Sequence, residues 1–322
     1  MARLLARGGA PPEEPKPSST LMPPMSLDPP EQAESPVVHT IPRRYVALGL
    51  IVLAIILVGA LIVIRNANQT DGTSDTETIT PAPTSVIAAL SQIPAATTNG
   101  VGVTSPDNPI TPPTATGNAS LWESSTQGAG PRPVVFFYGA EFAPYAAAER
   151  WPVVIALARF GTFTQLGLMQ SSSSVAFSNT ATFTFWHAQY SSLWVDLQAD
   201  ERYSSLDPTG GGYTALQAPT ARQSASVAIY DTSAQTFPLL DIANHYVLIG
   251  SSFSPTVLGG LSQSQIADDL AYPASPVTQA IMASANEITA AICSVTGERP
   301  TAVCSAHGVR AADAKMRIRQ AG

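Results

Sequence analysis

The sequence predicts an α/β protein in which helices flank a mixed sheet and one transmembrane helix precedes the folded part. Two observations carry this prediction: an uncharged apolar run over residues 45–64, and strand-like and helix-like segments between residues 133 and 305. Of the 322 residues only 12% are charged and 28 are prolines, which indicates long uncharged linkers. The net charge of −7, with no cluster of Lys and Arg, argues against nucleic acid as a partner.

The apolar run reads YVALGLIVLAIILVGALIVI and spans residues 45–64 without a charge. At a rise of ~1.5 Å per residue, its length matches the ~30 Å hydrocarbon core of a bilayer. A cleaved signal peptide has a shorter apolar region nearer the start of the chain. We therefore predict a transmembrane helix over 43–65 that contacts lipid through 45–64. Arg43 and Arg44 precede the run and acidic residues follow it, which predicts a cytoplasmic N-terminus and an extracytoplasmic folded domain.

The remaining segments differ in composition. Residues 1–42 are rich in Pro, Ser and Glu and predict a disordered cytoplasmic tail. Residues 66–132 predict a stalk and linker, with a short helix over 85–93 where apolar residues recur at helical spacing. A folded domain is expected over 133–305, followed by a C-terminal tail over 306–322.

The folded region alternates between two kinds of pattern. Apolar and β-branched runs predict strands, and apolar residues at helical spacing predict helices. The predicted strands are Pro133–Tyr138, Thr164–Met169, Ala181–Trp186 and the hairpin of Leu239–Ile242 with His245–Ile249; the predicted helices are Ala146–Phe160, Ala221–Tyr230 and Pro276–Val295. The order strand, helix, strand, insertion, hairpin, helix is that of a thioredoxin-like domain.

A turn between the first strand and the first helix carries the most informative residues. Thiol–disulfide enzymes place a C-x-x-C pair in this setting. Here the four positions are Ala143, Pro144, Tyr145 and Ala146, so that Cys at 143 and 146 would complete C-P-Y-C. Because alanine has no nucleophile, this turn cannot carry out dithiol exchange.

Several segments together resemble a prokaryotic family of membrane-anchored, thioredoxin-like proteins, domain-of-unknown-function family 929. The matching segments are SVIAALSQIP (85–94), FYGAEFAPYAAAERW (137–151), NTATFTF (179–185), FPLLDIANHYVL (237–248) and ICSVTGERPTAVC (292–304). The resemblance implies a C-P-Y-C motif, which this chain has lost at both cysteine positions. Natural loss and engineered replacement are both compatible with the sequence.

The resemblance also assigns a role to Pro238. In thioredoxin-like folds a cis-proline at this position faces the active-site turn, and the backbone there pairs with bound peptide. The alternative is an ordinary proline at the start of a strand. Pro144, Tyr145 and Pro238 are therefore the candidate residues of a peptide-binding groove.

Glu149, two cysteines and the histidines complete the candidate list. Glu149 is a relic of an acid that assists proton transfer in active relatives, or it forms a surface ion pair with Arg150. Cys293 and Cys304, separated by a turn-rich segment in an oxidising compartment, predict a structural disulfide; a redox-active pair is the alternative. The scattered histidines have no zinc-ligand spacing, so neither a metal nor another cofactor is expected.

The functional expectation follows from the missing sulfurs. A membrane-anchored, extracytoplasmic protein of this kind would bind envelope proteins or peptides without catalysis, in a groove between the turn 143–146 and Pro238. The alternative is a thiol–disulfide oxidoreductase of the same lineage, inactivated by replacement of both catalytic cysteines. A structural accessory subunit is a third possibility.

Overall fold

The computed structural model describes residues 79–102, 110–125, 130–206, 210, 212–230 and 237–321. The predicted cytoplasmic tail, the predicted transmembrane helix and residues 66–78 of the predicted stalk and linker lie outside these residues. Within the described ranges, no helix combines the length and the apolar character that crossing a membrane requires.

The described secondary structure contains both strands and helices, numbered here in chain order. The elements are β1 Thr80–Pro81, α1 Thr84–Ser91, α2 Ala95–Gly100, β2 Thr114–Ala115, β3 Glu123–Ser124, β4 Arg132–Gly139, α3 Pro144–Ala158, β5 Gly161–Gln170, β6 Ala181–Ser192, β7 Asp196–Glu201, α4 Ala221–Tyr230, β8 Leu239–Ile242, β9 Tyr246–Ile249, a 3₁₀ turn Pro255–Leu258, α5 Gln263–Asp269, α6 Pro276–Val295, α7 Thr301–Cys304 and α8 His307–Ala321.

Strand β4 is the centre of the main sheet. It pairs in parallel with β7 and antiparallel with β8, and β9 and β2 continue the sheet beyond β8. Seven of the eight β4 residues, Pro133–Gly139, are buried. Because both faces of the strand are covered, its sequence is apolar without interruption. The predicted mixed sheet flanked by helices is therefore confirmed.

Two layers cover the faces of this sheet. Helices α3 and α6 pack together over the face that carries Phe137, where the edge of Phe185 from β6 also meets that ring. Helix α4 covers the opposite face, where Val227 packs with Phe136 and Tyr138. The alternation of side chains along β4 thus divides the core between two helical layers.

The predicted strands after α3 form a separate sheet. Strands β5 and β6 pair antiparallel, β1 adds to the free edge of β5, and neither strand joins the main sheet. Trp151 of α3 packs on Phe183 of β6 at a centroid distance of 4.5 Å, and its indole N–H donates to the Ala181 carbonyl at 2.9 Å. The parallel neighbour of β4 is β7, a strand that the sequence patterns did not predict.

The hairpin β8–β9 confirms the predicted tight turn. Its two central residues, Ala243 and Asn244, have φ values of 53° and 63°. Positive φ at both positions defines the turn whose twist matches the flanking strands, and Asn tolerates this region better than most residues.

Two segments that were predicted to be a tail and a linker contain secondary structure. The segment expected to be a tail, 306–322, instead contains helix α8, which buries Val309, Ala312 and Met316. A Cβ at Gly308 would lie 2.2 Å from the Thr98 carbonyl oxygen, so that α8 approaches the backbone beside α2 closely. The linker expected as loop over 95–132 contributes α2, β2 and β3. These elements are short and polar and depend on packing rather than on local propensity.

Candidate functional site

The turn 140–143 connects β4 to α3 at one end of the main sheet. Ala143 is the extended residue before α3, and Pro144 is the first helical residue, where the missing N–H costs no hydrogen bond. Gly139, the last residue of β4, has no room for a side chain, because a Cβ there would lie 2.5 Å from the Phe137 ring and 3.0 Å from a Glu201 carboxylate oxygen. Ala143 and Ala146 are buried, whereas the Tyr145 side chain is 43% exposed. Positions 143 and 146 are therefore less accessible to solvent than Tyr145 between them.

Pro238 lies at the same end of the sheet. It directly precedes Leu239, which pairs with Tyr138 near the end of β4, and the Phe237–Pro238 peptide bond is cis. The Phe237 ring meets the edge of Phe142 at a centroid distance of 5.9 Å, which joins the segment before Pro238 to the turn. Among the described residues, neither the N–H nor the carbonyl of Phe237 makes a hydrogen bond.

The loop between β5 and β6 also reaches this turn. The Ser172 N–H donates to the Phe142 carbonyl at 3.1 Å, and Phe177 packs edge-on against Tyr145 with a centroid distance of 5.9 Å. Phe177 is 40% exposed and has a φ of 55°, a rare conformation for a bulky residue. The loop between β5 and β6 thus supplies a partly exposed ring beside Tyr145.

Beneath the turn lies a buried ion pair. The Arg150 side chain donates from Nε and from one Nη to the two carboxylate oxygens of Glu201, at 2.8 and 2.6 Å. The same guanidinium donates to the Ala140 carbonyl at 3.2 Å, and both charged side chains are fully buried. A bidentate arginine–carboxylate pair of this kind fixes the relative orientation of the two side chains. It ties α3, the end of β7 and the start of the turn together.

Glu149 is buried and does not pair with Arg150, so the predicted surface ion pair is wrong. The Glu149 carboxylate accepts hydrogen bonds from the Ser252 N–H at 2.6 Å and the Ser252 hydroxyl at 3.0 Å. Burial raises the pKa of Glu149 from its ordinary value to about 8, although these two bonds oppose the rise. Glu149 lies three residues after Ala146 in the same helix, so both side chains project on one face.

Two further acids are buried near the ends of β4 and β7. Glu141 accepts a hydrogen bond from the Thr184 hydroxyl of β6. Asp200 is 2% exposed, and burial raises its pKa to about 6, with Arg202 opposing and Glu201 adding to the rise. The Glu141 bond connects the turn to β6, and Asp200 lies 3.9 Å from the Arg202 guanidinium. The described residues contain no group of three His, Cys, Asp or Glu side chains placed to hold a metal ion.

The two cysteines lie elsewhere in the fold. Cys293 of α6 and Cys304 of α7 form the predicted disulfide, with a Cα–Cα distance of 5.6 Å, and both are buried. The bond clamps the turn between these helices. Sequence reasoning therefore placed the disulfide but missed Phe177, Glu201 and Thr184 at the site. A buried arginine needs an acidic partner. The acidic residues in segment 196–201 were therefore the signal in the sequence that could have indicated Glu201.

Comparison with known proteins agrees with the family number suggested by the resemblance. Residues 124–205 match the model of a family described as "Domain of unknown function (DUF929)". The matched segment contains the turn 143–146, Glu149, Arg150 and Glu201, and it ends before Pro238 and both cysteines. No curated protein and no solved structure matches the chain significantly.

Proposed function

We propose that this chain is a thioredoxin-like protein without redox cysteines that binds extended peptides or protein segments non-catalytically. The strand order β7-β4-β8-β9 supports the fold assignment, because β8 alone of these four strands runs opposite to β4, while β7 and β9 run in the direction of β4. Helix α3 follows β4, α4 precedes β8, and α6 follows β9. The β5–β6 sheet is then an insertion between α3 and the second parallel strand.

One observation carries the binding proposal. Phe237 has an unpaired N–H and an unpaired carbonyl beside the turn 140–143, among the described residues. Unpaired backbone groups at the end of a strand are a template for an added strand. Ala143 and Ala146 leave no nucleophile there, so the bound segment is held and not modified.

The test compares how tightly extended peptides and their N-methylated analogues bind the full-length chain in mild detergent. A set of fluorescein-labelled extended peptides would be measured by polarisation, each with an analogue N-methylated at alternate residues. We expect N-methylation to weaken binding about 10-fold or more, since it removes backbone donors at ~1 kcal/mol or more each. Equal affinity for a peptide and its N-methylated analogue would contradict the proposal.

Variants at the site sharpen the same experiment. Pro238→Ala is expected to weaken peptide binding, because it changes the backbone that presents Phe237. Pro273→Ala is a matched control, since Pro273 is exposed and lies just before α6. If both variants bind peptide as the unchanged chain does, the groove beside Pro238 is not the binding site.

A second candidate function is an inactivated thiol–disulfide oxidoreductase of the same lineage. The observation that favours it is Glu149, a buried acid one helical turn from position 146 whose raised pKa keeps a proton available near neutral pH. The double variant Ala143→Cys with Ala146→Cys should reduce insulin disulfides. A thiol at 143 would have a lowered pKa because the N-terminus of α3 favours an anion. The single variant Ala143→Cys, which lacks the resolving thiol, is the control, and an inactive double variant that still folds would contradict this candidate.

For location we propose a single-pass membrane protein with the folded domain outside the cytoplasm. The uncharged run 45–64 and the flanking charges support this orientation. Protease added to intact cells should digest the region after residue 65. Digestion of the segment before Arg43 instead would reverse the topology.

A further inference from the structure

A cavity of about 740 Å³ lies between strands β6 and β7. Its walls come from the second half of β6, from β7, from Thr164 of β5 and from the glutamines Gln217 and Gln223. Strand β7 is at an edge of the main sheet, because it pairs with β4 and with no other described strand. The volume lies within the ~300–1,000 Å³ that small-molecule sites occupy.

The edge of β7 directs unpaired backbone groups toward this cavity. The Glu201 N–H points away from β4, since it donates to the Gln217 side chain at 2.7 Å. Backbone groups of successive strand residues point to opposite sides, so Leu197 and Ala199 share the outward direction of Glu201. Outside the β4–β7 ladder, neither of them forms a hydrogen bond among the described residues. The cavity wall therefore contains both donors and acceptors.

This unpaired edge is too short for an added strand. On one side of it, the Gln217 side chain occupies the Glu201 N–H. On the other side, the chain turns from β6 into β7 over residues 193–195. The outward groups of Leu197 and Ala199 remain, whereas strands usually extend over about 3–10 residues. The dimensions of the edge therefore favour a small molecule over an extended chain.

Side-chain amides line the cavity beside this edge. Gln217 and Gln223 are each fixed through the amide oxygen, which accepts a backbone N–H at 2.7 Å. The Gln223 amide N–H donates to the Gln198 side chain at 3.5 Å, and the Gln217 amide NH₂ has no acceptor among the described residues. On the β6 wall, Gln189 is exposed. An amide both donates and accepts hydrogen bonds, as a hydroxyl does, so these side chains match a ligand with many hydroxyls.

The β6 wall also contributes two adjacent rings. Trp186 is half-buried and His187 is exposed, and their ring centroids lie 4.1 Å apart. His187 has a φ of 60°, which is uncommon for a residue other than glycine, and such residues concentrate at ligand-binding positions. The indole of Trp186 supplies apolar area in a cavity that is otherwise rich in amides and hydroxyls. The C–H face of a sugar ring fits such a surface.

No Asp, Glu, Lys or Arg is among the described residues that line the cavity. The charged groups next to the lining are bonded within the chain: Glu201 pairs with Arg150, Asp196 accepts from the Gln198 amide at 3.4 Å, and the Arg202 guanidinium donates to the Gln217 carbonyl. A charged ligand would lose solvation here without gaining an opposite charge. The electrostatics of the lining therefore favour a neutral ligand.

We propose that this cavity binds a neutral sugar. Its polar groups come from several directions, with Gln189 on β6, Leu197 and Ala199 on β7, and Gln217 and Gln223 after β7. A planar base bonds through edges that lie in one plane, whereas a sugar carries hydroxyls around its ring. The inference goes beyond the proposed function, because the lining shares no residue with the groove beside the turn 143–146.

The test titrates the full-length chain with five neutral probes, in a detergent that has no sugar headgroup. Maltose, cellobiose and N,N′-diacetylchitobiose are the disaccharides, 9-methyladenine is the planar base, and N-acetyl-glutamine methylamide represents a peptide. Ligand-observed NMR measures the affinities. We expect at least one disaccharide to bind with a Kd of about 1 mM or tighter, and the two other probes to bind about 10-fold more weakly or less.

Variants of the lining locate the binding. Trp186→Ala should weaken disaccharide binding about 10-fold or more, whereas Trp186→Phe should keep most of it because a ring remains. Gln189→Ala, at an exposed amide, should weaken binding roughly 2- to 10-fold. Gln92→Ala is the matched control, because Gln92 is exposed and lies outside the lining. Melting temperatures show whether each variant is folded.

Each remaining outcome decides against the proposal. Absence of disaccharide binding up to about 20 mM would overturn it. Stronger binding of 9-methyladenine or of the amide probe would overturn it in favour of a planar base or a peptide. If Trp186→Ala and Gln189→Ala are folded and bind the disaccharide as the unchanged chain does, this cavity is not the sugar site. Failure here leaves the N-methylated peptide experiment unaffected, so the two proposals are tested separately.

Discussion

The two ends of the main sheet differ in how the chain uses its hydrogen-bonding groups. At the end where β8 turns into β9, the Asp241 carboxylate accepts from the Asn244 N–H at 2.7 Å and from the Ser226 hydroxyl at 2.6 Å. The Tyr230 hydroxyl and the Thr116 hydroxyl bond to the side chain and the carbonyl of Asn244. At the opposite end, Phe237 keeps unpaired backbone groups among the described residues, and Tyr145 and Phe177 are exposed.

This difference separates an end of the sheet whose polar groups bond within the chain from an end where, under our proposal, a peptide binds. Polar groups at the β8–β9 turn bond within the chain, so that end contributes stability and offers little to a ligand. At the end beside α3, the buried Arg150–Glu201 pair and the Glu149–Ser252 hydrogen bond stabilise the turn, while Tyr145 and Phe177 are exposed. Substitutions at the two ends should therefore separate stability from binding.

The largest expected effect on the free energy of unfolding is at the buried Arg150–Glu201 pair. Arg150→Ala leaves the Glu201 carboxylate buried without its partner, and we expect the free energy of unfolding to fall by about 3–5 kcal/mol. Chemical denaturation at neutral pH measures this. Arg222→Ala, at an exposed arginine over Trp122, is the control and should cost less than about 1 kcal/mol. Equal effects of the two substitutions would mean that the buried pair does not support the turn.

The next effect depends on pH and concerns Glu149. Its pKa is about 4.5 in the unfolded chain and about 8 in the folded one. Between these values the folded state keeps a proton that the unfolded state has lost, so stability falls as pH rises and the loss is complete above pH 8. We expect a total loss of roughly 2–4 kcal/mol over this range.

Glu149→Gln should make the fall of stability with pH smaller but not abolish it, because the amide does not ionise whereas Asp200, whose pKa burial raises to about 6, still does. Denaturation curves at several pH values between 4.5 and about 8 measure how steeply the free energy of unfolding falls with pH. Glu298→Gln, at an exposed acid, is the matched control and should leave the slope unchanged. If stability falls with pH equally in the unchanged chain and in Glu149→Gln, then Glu149 is not the group that titrates.

A smaller effect is expected at the closed end. Ser226→Ala removes one donor from the buried Asp241 carboxylate, which should lower the free energy of unfolding by about 1–3 kcal/mol. Peptide binding at the other end should be unchanged. Reduced affinity in a variant that remains folded would show that the two ends are coupled.

The smallest effect on stability is expected at Phe177, whose ring is partly exposed. Phe177→Ala removes an exposed ring, so unfolding should change by no more than about 0.5 kcal/mol. The melting temperature of Phe177→Ala against the unchanged chain checks this. A large stability loss would mean that the ring is structural, and it would remove the contrast between the two ends.

Much of the local structure followed from residue patterns. The run Pro133–Tyr138, the hairpin around Ala243 and the helix Pro276–Val295 were predicted within one or two residues, because each depends on local periodicity or turn chemistry. Strand β7 escaped prediction since Asp196, Asp200 and Glu201 argue against burial. Arg150, 51 residues away in the chain, makes a buried carboxylate at position 201 tolerable, together with the Phe185 N–H, which also donates to it.

The sequence by itself determined that the turn has no thiols, that one disulfide was available and that the first strand is buried on both faces. Those properties belong to single residues or to neighbours along the chain. The tertiary structure decided that Arg150 pairs with Glu201, that Ser252 bonds to Glu149 and that Phe177 lies against Tyr145. These partners are 51, 103 and 32 residues apart. Contacts over such separations depend on how sheets and helices pack, and local periodicity carries no information about that packing.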